Sequence, residues 1–402
     1  MRLLLAVLPV VALASFAVLR SAQAQAPPLP VAGTSPVFEP GASASMPVAQ
    51  MGLMTAGEGW ATTCQGLFLT GDGGRTWKDI TPPNLRKVSC VSDHVGAVAT
   101  LGRSQLWVSA INVPWLYVGA CRGCINPPGA GLDHTTDAGT TWRSTGACGQ
   151  GGCAFSEMSF STPVDGIGLD GYIASTNDGG QRWRLAGYGI GRNLSAVARG
   201  PGGVVWAAIG EPSPPLHGHG ELARLLVGRG CACTLATAPV ALPALPGRGA
   251  PLAVGAPVFF GPRDGVVAAR TAGPSRNGAL VVYTTADGGS RWTAHEGPPA
   301  SPARYPDDGE FDLPFAAASA KDWVFDLGSV LYRTSDAGGH WVAVTPQGRG
   351  SDPVVFAVDF ATPHIGWSLA ASDVCSEGVC RYVPHLYATS DGGANWRELT
   401  PR

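Results

Sequence analysis

The 402-residue chain has 27 basic and 29 acidic residues, a formal net charge of −2, and only 14% charged residues. It carries no concentrated excess of Lys and Arg, the footprint that phosphate backbones require, so no nucleic-acid partner is expected. Its 56 Gly and 34 Pro sit beside 45% apolar residues and 12 Trp. That balance argues against a disordered polar chain and for a turn-rich all-β protein with a core.

The chain opens with Met1-Arg2 and an apolar run from Leu3 to Leu19, followed by Ala22 and Ala24 in an A-x-A cleavage pattern. Residues 1–24 therefore read as a signal peptide, since the run is short for a membrane span. A secreted or periplasmic location follows, with no transmembrane segment after signal cleavage. Loss of Arg2 and Arg20 from the 27 basic residues leaves 25 against 29 acidic ones, a formal charge of −4. Residues 25–45 form a Pro/Ala-rich lead-in that could add a closing strand. Residues 46–402 form the folded body.

In that body one element occurs six times: Thr70-x-Asp72-x-Gly74-x-x-Trp77, then Thr135/Asp137/Gly139/Trp142 and Thr176/Asp178/Gly180/Trp183 at the same offsets. It recurs at Thr285/Asp287/Gly289/Trp292, Thr334/Asp336/Gly338/Trp341 and Thr389/Asp391/Gly393/Trp396. Aspartate accepts hydrogen bonds from nearby backbone N–H groups and Gly takes φ > 0, so each copy reads as a locked hairpin turn. The Trp anchors the returning strand. Upstream runs such as Ala279–Tyr283 and Ser329–Tyr332 have strand composition.

The six aspartates are spaced by 65, 41, 109, 49 and 55 residues. The longest gap spans two repeats. Strands are expected within it at Leu194–Ala198, Val204–Ile209, Leu222–Val227 and Thr234–Ala238, giving a fourth blade whose turn motif has eroded near Gly228–Cys231. The expected fold is a single seven-bladed β-propeller of four-stranded antiparallel blades, because the repeat length of about 53 residues suits propeller blades.

The repeated turn resembles the Asp-box, or BNR repeat, of sialidases, sortilin-type receptors, xyloglucan-active glycoside hydrolases and the photosystem II assembly-factor family, all β-propellers. The texture is most similar to the last, whose repeats place an F-x-x-P-x-x-G-W-like turn before the box. Phe160-Ser-Thr-Pro163-Val-Asp-Gly166 and Phe360-Ala-Thr-Pro363-His-Ile-Gly366-Trp367 match it, and Phe260-Gly-Pro262-Arg-Asp-Gly265 is a shortened form. The resemblance implies that the boxes lie between the third and outermost strands, away from the functional face, and that their aspartates are structural. Fold-level likeness does not fix function.

On the opposite face four connections are expected to open: 112–131, 211–221, 298–312 and 372–384. They carry the candidate ligand-binding residues Trp115, Tyr117, Arg304, Tyr305, Asp307, Asp308, Arg381 and Tyr382, aromatic and charged groups of the kind that anchor interfaces. Glu310 and Asp312 extend the acidic stretch, which could equally be a hydrated loop or bind a sugar or cation. The ten cysteines, Cys64, Cys90, Cys121, Cys124, Cys148, Cys153, Cys231, Cys233, Cys375 and Cys380, are an even number in an exported chain and read as disulfides. Cys375 with Cys380 is the leading pair, and Cys64 with Cys90 is another. A four-thiolate zinc site from Cys121, Cys124, Cys148 and Cys153 is the alternative, and His217 and His219 with Glu211 and Glu221 form a weaker metal candidate. Haem attachment is excluded in its usual form because Ile125, not His, follows Cys124. No cofactor and no bound metal are expected.

The functional reading is a non-enzymatic exported module, monomeric, that binds a protein or glycan partner through the loop face. A glycoside hydrolase is the alternative. Sialidase chemistry would need a Phe/Tyr-Arg-Ile-Pro element near the mature start, which is absent, and xyloglucan-active enzymes place paired acids between two propellers where this chain has room for one.

Overall fold

A computed structural model describes residues 48–63, 66–83, 85, 93–112, 132–145, 155, 157–169, 172–188, 193–210, 221–226, 236–271, 279–299, 313–350, 353–371, 373–376, 379–382 and 384–402. The expected signal peptide and lead-in, and residues 228–231 where the eroded turn is expected, lie outside these residues. No helix among the described residues is long and apolar enough to cross a membrane.

The chain is a β-propeller built of consecutive antiparallel meanders over residues 48–79, 93–145, 157–188, 193–239, 251–296, 315–344 and 354–399. In each, strands pair in chain order, so the first strand lies innermost and the last outermost. The four strands expected in the long inter-motif gap are found as Asn193–Arg199, Val205–Gly210, Glu221–Leu226 and Ala236–Pro239. The last sheet carries an insertion between its second and third strands, a separate two-stranded ribbon of Asp373–Ser376 and Val379–Tyr382.

The expectation of seven four-stranded blades is corrected: among the described residues six four-stranded blades are found, and the sheet over 251–296 has five strands. Its innermost strand is broken into Pro251–Val254 and Val258–Phe259, both paired with Gly265–Thr271. Val254 faces Ala269 and Val258 faces Val266, so four residues advance against three and one residue bulges out of register. Pro257 lies in the break and has no N–H to give the ladder.

The core lies between sheets. Met54, Trp60 and Leu67 of the first sheet pack on Val98, Leu106 and Val108 of the second, and Phe155, Met158 and Phe160 of the third pack on Trp107 and Leu132. The same pattern continues to the final seam, where Val48, Met51 and Leu53 meet Ala357, Trp367, Leu369, Leu386 and Leu399. The ring thus closes first sheet on last by side-chain packing. Hydrogen bonds reinforce that seam, among them Val48 N–H to the Pro384 carbonyl at 3.2 Å, Leu53 N–H to the buried Asp359 carboxylate at 2.9 Å and the Arg397 guanidinium to the Gly73 carbonyl at 3.3 Å.

Candidate functional site

All six repeated turns join the third strand of a sheet to its outermost strand. Threonine is their hub. The Thr70 hydroxyl donates to Asp72 Oδ1 at 2.9 Å and accepts the Gly74 N–H at 2.9 Å. Asp72 Oδ1 accepts the Arg75 and Thr76 N–H groups, and Oδ2 accepts the Thr76 hydroxyl at 2.7 Å. The Gly-to-Thr bond recurs at Gly139, Gly180, Gly289, Gly338 and Gly393. So does the bond from the fourth residue after the aspartate, at Thr141, Arg182, Arg291, His340 and Asn395. Every one of the six threonines is buried. The sequence reading assigned the aspartate and glycine a task but gave threonine none.

The six aspartates, Asp72, Asp137, Asp178, Asp287, Asp336 and Asp391, each accept the threonine hydroxyl of their own turn at 2.8–2.9 Å. They differ in what the fourth following residue adds. Asp178 and Asp287 take the backbone N–H of Arg182 and Arg291, both at 2.9 Å. At the other four turns a side chain joins in as well, from Thr76, Thr141, His340 or Asn395.

These donors set the acidity of the carboxylates. The Thr76 backbone N–H and hydroxyl hold Asp72 at about 2, and the Thr141 hydroxyl and N–H hold Asp137 at about 2. Burial pushes Asp391 up, yet the Asn395 side chain and N–H outweigh it and bring it to about 2. His340 drives Asp336 well below the usual carboxylate range, and the Arg291 N–H lowers Asp287.

A second tier holds the turns in place. In each boxed sheet the turn between the first and second strands offers a backbone carbonyl to the repeated turn: Gly57 to Gly73, Ser104 to Ala138, Val164 to Gly179, Arg263 to Gly288, Lys321 to Ala337 and His364 to Gly392, at 2.8–3.1 Å. Strands in a meander alternate direction, so both sets of turns occupy one end of the ring. Connections between second and third strands, and between sheets, open at the other end.

Tryptophans fill the seams. Trp183, Trp292 and Trp396 of the repeated turns are buried. The deepest, however, are Trp60, Trp107, Trp206, Trp323 and Trp367, all on second strands and all less than 2% exposed. Trp107 stacks on Phe160 with centroids 3.7 Å apart and donates to the Gly179 carbonyl at 2.9 Å, bridging second sheet to third. The sequence signal for this set was the Gly-Trp pair seen at Gly366-Trp367, which also occurs as Gly59-Trp60.

Of the predicted ligand-binding residues, Trp115, Tyr117, Arg304, Tyr305, Asp307 and Asp308 lie outside the described residues, as do His217, His219, Cys64, Cys90, Cys121, Cys124, Cys148, Cys153, Cys231 and Cys233. The strands flanking 113–131 and 211–220 are second and third strands of their sheets, and the ends that face these segments lie away from the repeated turns. Arg381 and Tyr382 fall on the ribbon, opposite Val374 and Asp373 respectively, at that same end.

One charged cluster escaped the sequence reading. Arg349, in the connection between the sixth and last sheets, is 2% exposed and meets the fully buried Asp326 with both terminal nitrogens. It also donates to the Ser368 hydroxyl at 2.8 Å and the Gly328 carbonyl at 3.1 Å, and its guanidinium lies 4.6 Å from the Trp396 ring centroid. Ser368 completes the set by donating to Asp326 at 3.0 Å. This is a clasp between two sheets: the opposite charges are paired and enclosed, which suits cohesion.

No family model matches the sequence, and no curated protein matches it. Among solved structures, the chain is similar to YCF48 bound to D1 peptide, with 16% identity, a TM-score of 0.51, and coverage of 85% of this chain and 94% of that one. It is also similar to YCF48 from Cyanidioschyzon merolae, with 14% identity, a TM-score of 0.53, and coverage of 87% and 97%. A GH74 enzyme from Niastella koreensis matches at 11% identity over 86% of this chain and 64% of that one, with a TM-score of 0.44. The two YCF48 likenesses show the β-propeller fold.

Proposed function

We propose that this chain is an exported, non-enzymatic propeller that binds a polypeptide partner through the end opposite its repeated turns. The observation that carries the reading is the near-complete overlap with YCF48, which has been captured with a D1 peptide bound. The distribution of hydrogen bonds supports it. At the turn end the threonines, aspartates and strand-connecting carbonyls are engaged with one another. The ribbon is inserted between second and third strands, at the other end. Arg381 and Tyr382 on the ribbon and Trp115 and Tyr117 in the second-sheet connection are the anchors in this proposal, as Trp, Tyr and Arg dominate binding energy at interfaces.

The test is a pull-down from the envelope of the producing cell with the full chain and two variant classes. Trp115→Ala combined with Arg381→Ala should lose the captured polypeptide, whereas Lys78→Ala, on the outermost strand of the first sheet, should retain it. Loss from both classes, or from neither, refutes the assignment of the face. Turnover of aryl glycosides by the purified chain would replace binding with hydrolysis.

A further inference from the structure

Among the described residues, the ribbon is an insertion that pairs with no strand of its parent sheet: the ladder of the last sheet runs directly from Gly366–Ala371 to His385–Thr389. An isolated two-stranded hairpin is marginal in water. Something beyond its own ladder is needed to keep it formed.

Its register supplies a candidate. The pairs are Asp373↔Tyr382, Val374↔Arg381, Cys375↔Cys380 and Ser376↔Val379, so only two residues separate the closing pair along the chain. With so short a connection, the closing pair Ser376–Val379 must be the one that exchanges backbone hydrogen bonds. Pairs alternate along an antiparallel ladder, so Cys375–Cys380 is a non-hydrogen-bonded pair. In such pairs the Cα atoms lie about 4.5 Å apart, inside the window of roughly 4.4–6.8 Å that a disulfide spans. The hydrogen-bonded type holds the chains wider, so a one-residue shift of either cysteine would lose both the opposition and the close approach.

From this we infer that Cys375 and Cys380 form a cross-strand disulfide that locks the ribbon as a covalent hairpin. The inference is independent of what the propeller binds. Formation needs a disulfide donor: one cysteine thiolate attacks a donor sulfur and expels the first donor thiolate, giving a mixed disulfide, and the second cysteine thiolate then attacks the protein sulfur and expels the other donor thiolate. Two protein thiols lose two electrons and two protons overall, and the donor disulfide becomes two thiols.

The experiment uses the full chain equilibrated with oxidised glutathione, alkylated without reductant, digested and mapped by mass spectrometry. The expected product is a peptide in which Cys375 and Cys380 are linked and unlabelled, taking up two labels only after reduction. Alkylation of both residues before reduction, or linkage of either to another cysteine, overturns the pairing. Hydrogen exchange supplies the second arm. In Cys375→Ser/Cys380→Ser, amides 373–382 should exchange at least about tenfold faster while those of Gly366–Ala371 stay protected, because local opening is governed by local stability. Unchanged exchange in the ribbon would show that the bond locks nothing.

Discussion

Adjacent glycines in the first repeated turn separate backbone strain from steric exclusion. Gly73 and Gly74 both have positive φ, +71° and +80°. A Cβ on Gly73 would meet nothing within 4 Å, whereas one on Gly74 would lie 2.5 Å from Leu399 Cδ1 on the outermost strand of the last sheet. Gly73→Ala therefore costs only the left-handed conformation, about 1–2 kcal/mol. Gly74→Ala adds overpacking of about 1–3 kcal/mol, for a total of about 2–5 kcal/mol. Because Leu399 belongs to the last sheet, the damage falls on the seam that closes the ring. Urea denaturation followed by tryptophan fluorescence measures both variants. Leu399→Ala tests the cause: added to Gly74→Ala it removes the obstructing methyls, so the two changes should cost at least about 1 kcal/mol less together than their sum. Equal losses for Gly73→Ala and Gly74→Ala, or additivity with Leu399→Ala, would refute the argument.

Four further outcomes follow from the same contacts. Thr285→Val keeps the shape of the buried hub but removes the hydroxyl that donates to Asp287 and accepts the Gly289 N–H, and should destabilise by about 1–3 kcal/mol in thermal melts. Ala337 holds φ +59° where four of the six copies have Gly and one other has Ala138 at +53°, so Ala337→Gly should stabilise slightly, by up to about 1 kcal/mol once the extra freedom of the unfolded chain is set against the strain relieved. Arg349→Met leaves Asp326 buried without its cation and should cost about 3–5 kcal/mol, with Asp326→Leu recovering part of it in the double variant. Burial, and for His134 the nearby Arg143, lowers the pKa of His134 and His295 below the ordinary 6.5. Folding therefore favours their neutral forms; the stability they contribute is complete above pH 6.5 and falls as the pH drops below it, and His134→Gln should flatten the melting temperature between pH 6.5 and 5.

The repeated turn was legible because its chemistry is local: aspartate, glycine and their offsets are all within five residues of one another, and the bonds they make close inside that window. Strand content was legible for the same reason, as in Asn193–Arg199 and Val205–Gly210. The five-stranded sheet was not. Its break depends on Pro251–Val254 and Val258–Phe259 both finding room on one partner strand, a tertiary fact that Pro257 hints at but does not decide. The Arg349 clasp was hidden more deeply. Arg349, Asp326 and Ser368 are separated by 23 and 19 residues along the chain, follow no motif, and meet only because consecutive sheets stack.

The carboxylates bear on how the ends of the ring divide their work. Six aspartates arrayed at one end of a propeller invite comparison with catalytic acids, yet a general acid needs its pKa raised toward the working pH. Asp72, Asp137, Asp287, Asp336 and Asp391 are all shifted the other way. The cause is the bonding that builds the turn, since N–H and O–H donors favour the ionised form. A carboxylate that caps a turn so completely holds no proton to give near neutral pH. The same donors that make these aspartates good clamps make them poor acids, which supports the proposal that recognition falls to the far end. For Asp72 and Asp137, held at about 2 against an ordinary 3.8, the clamp should persist from neutral pH down to about 4 and weaken as the pH falls from there toward 2. Carbon-detected NMR titration of the two carboxyl groups reads this directly. Midpoints at or above 3.8 would show that the turn donors do not hold the charge, and the division between the two ends would lose its physical basis.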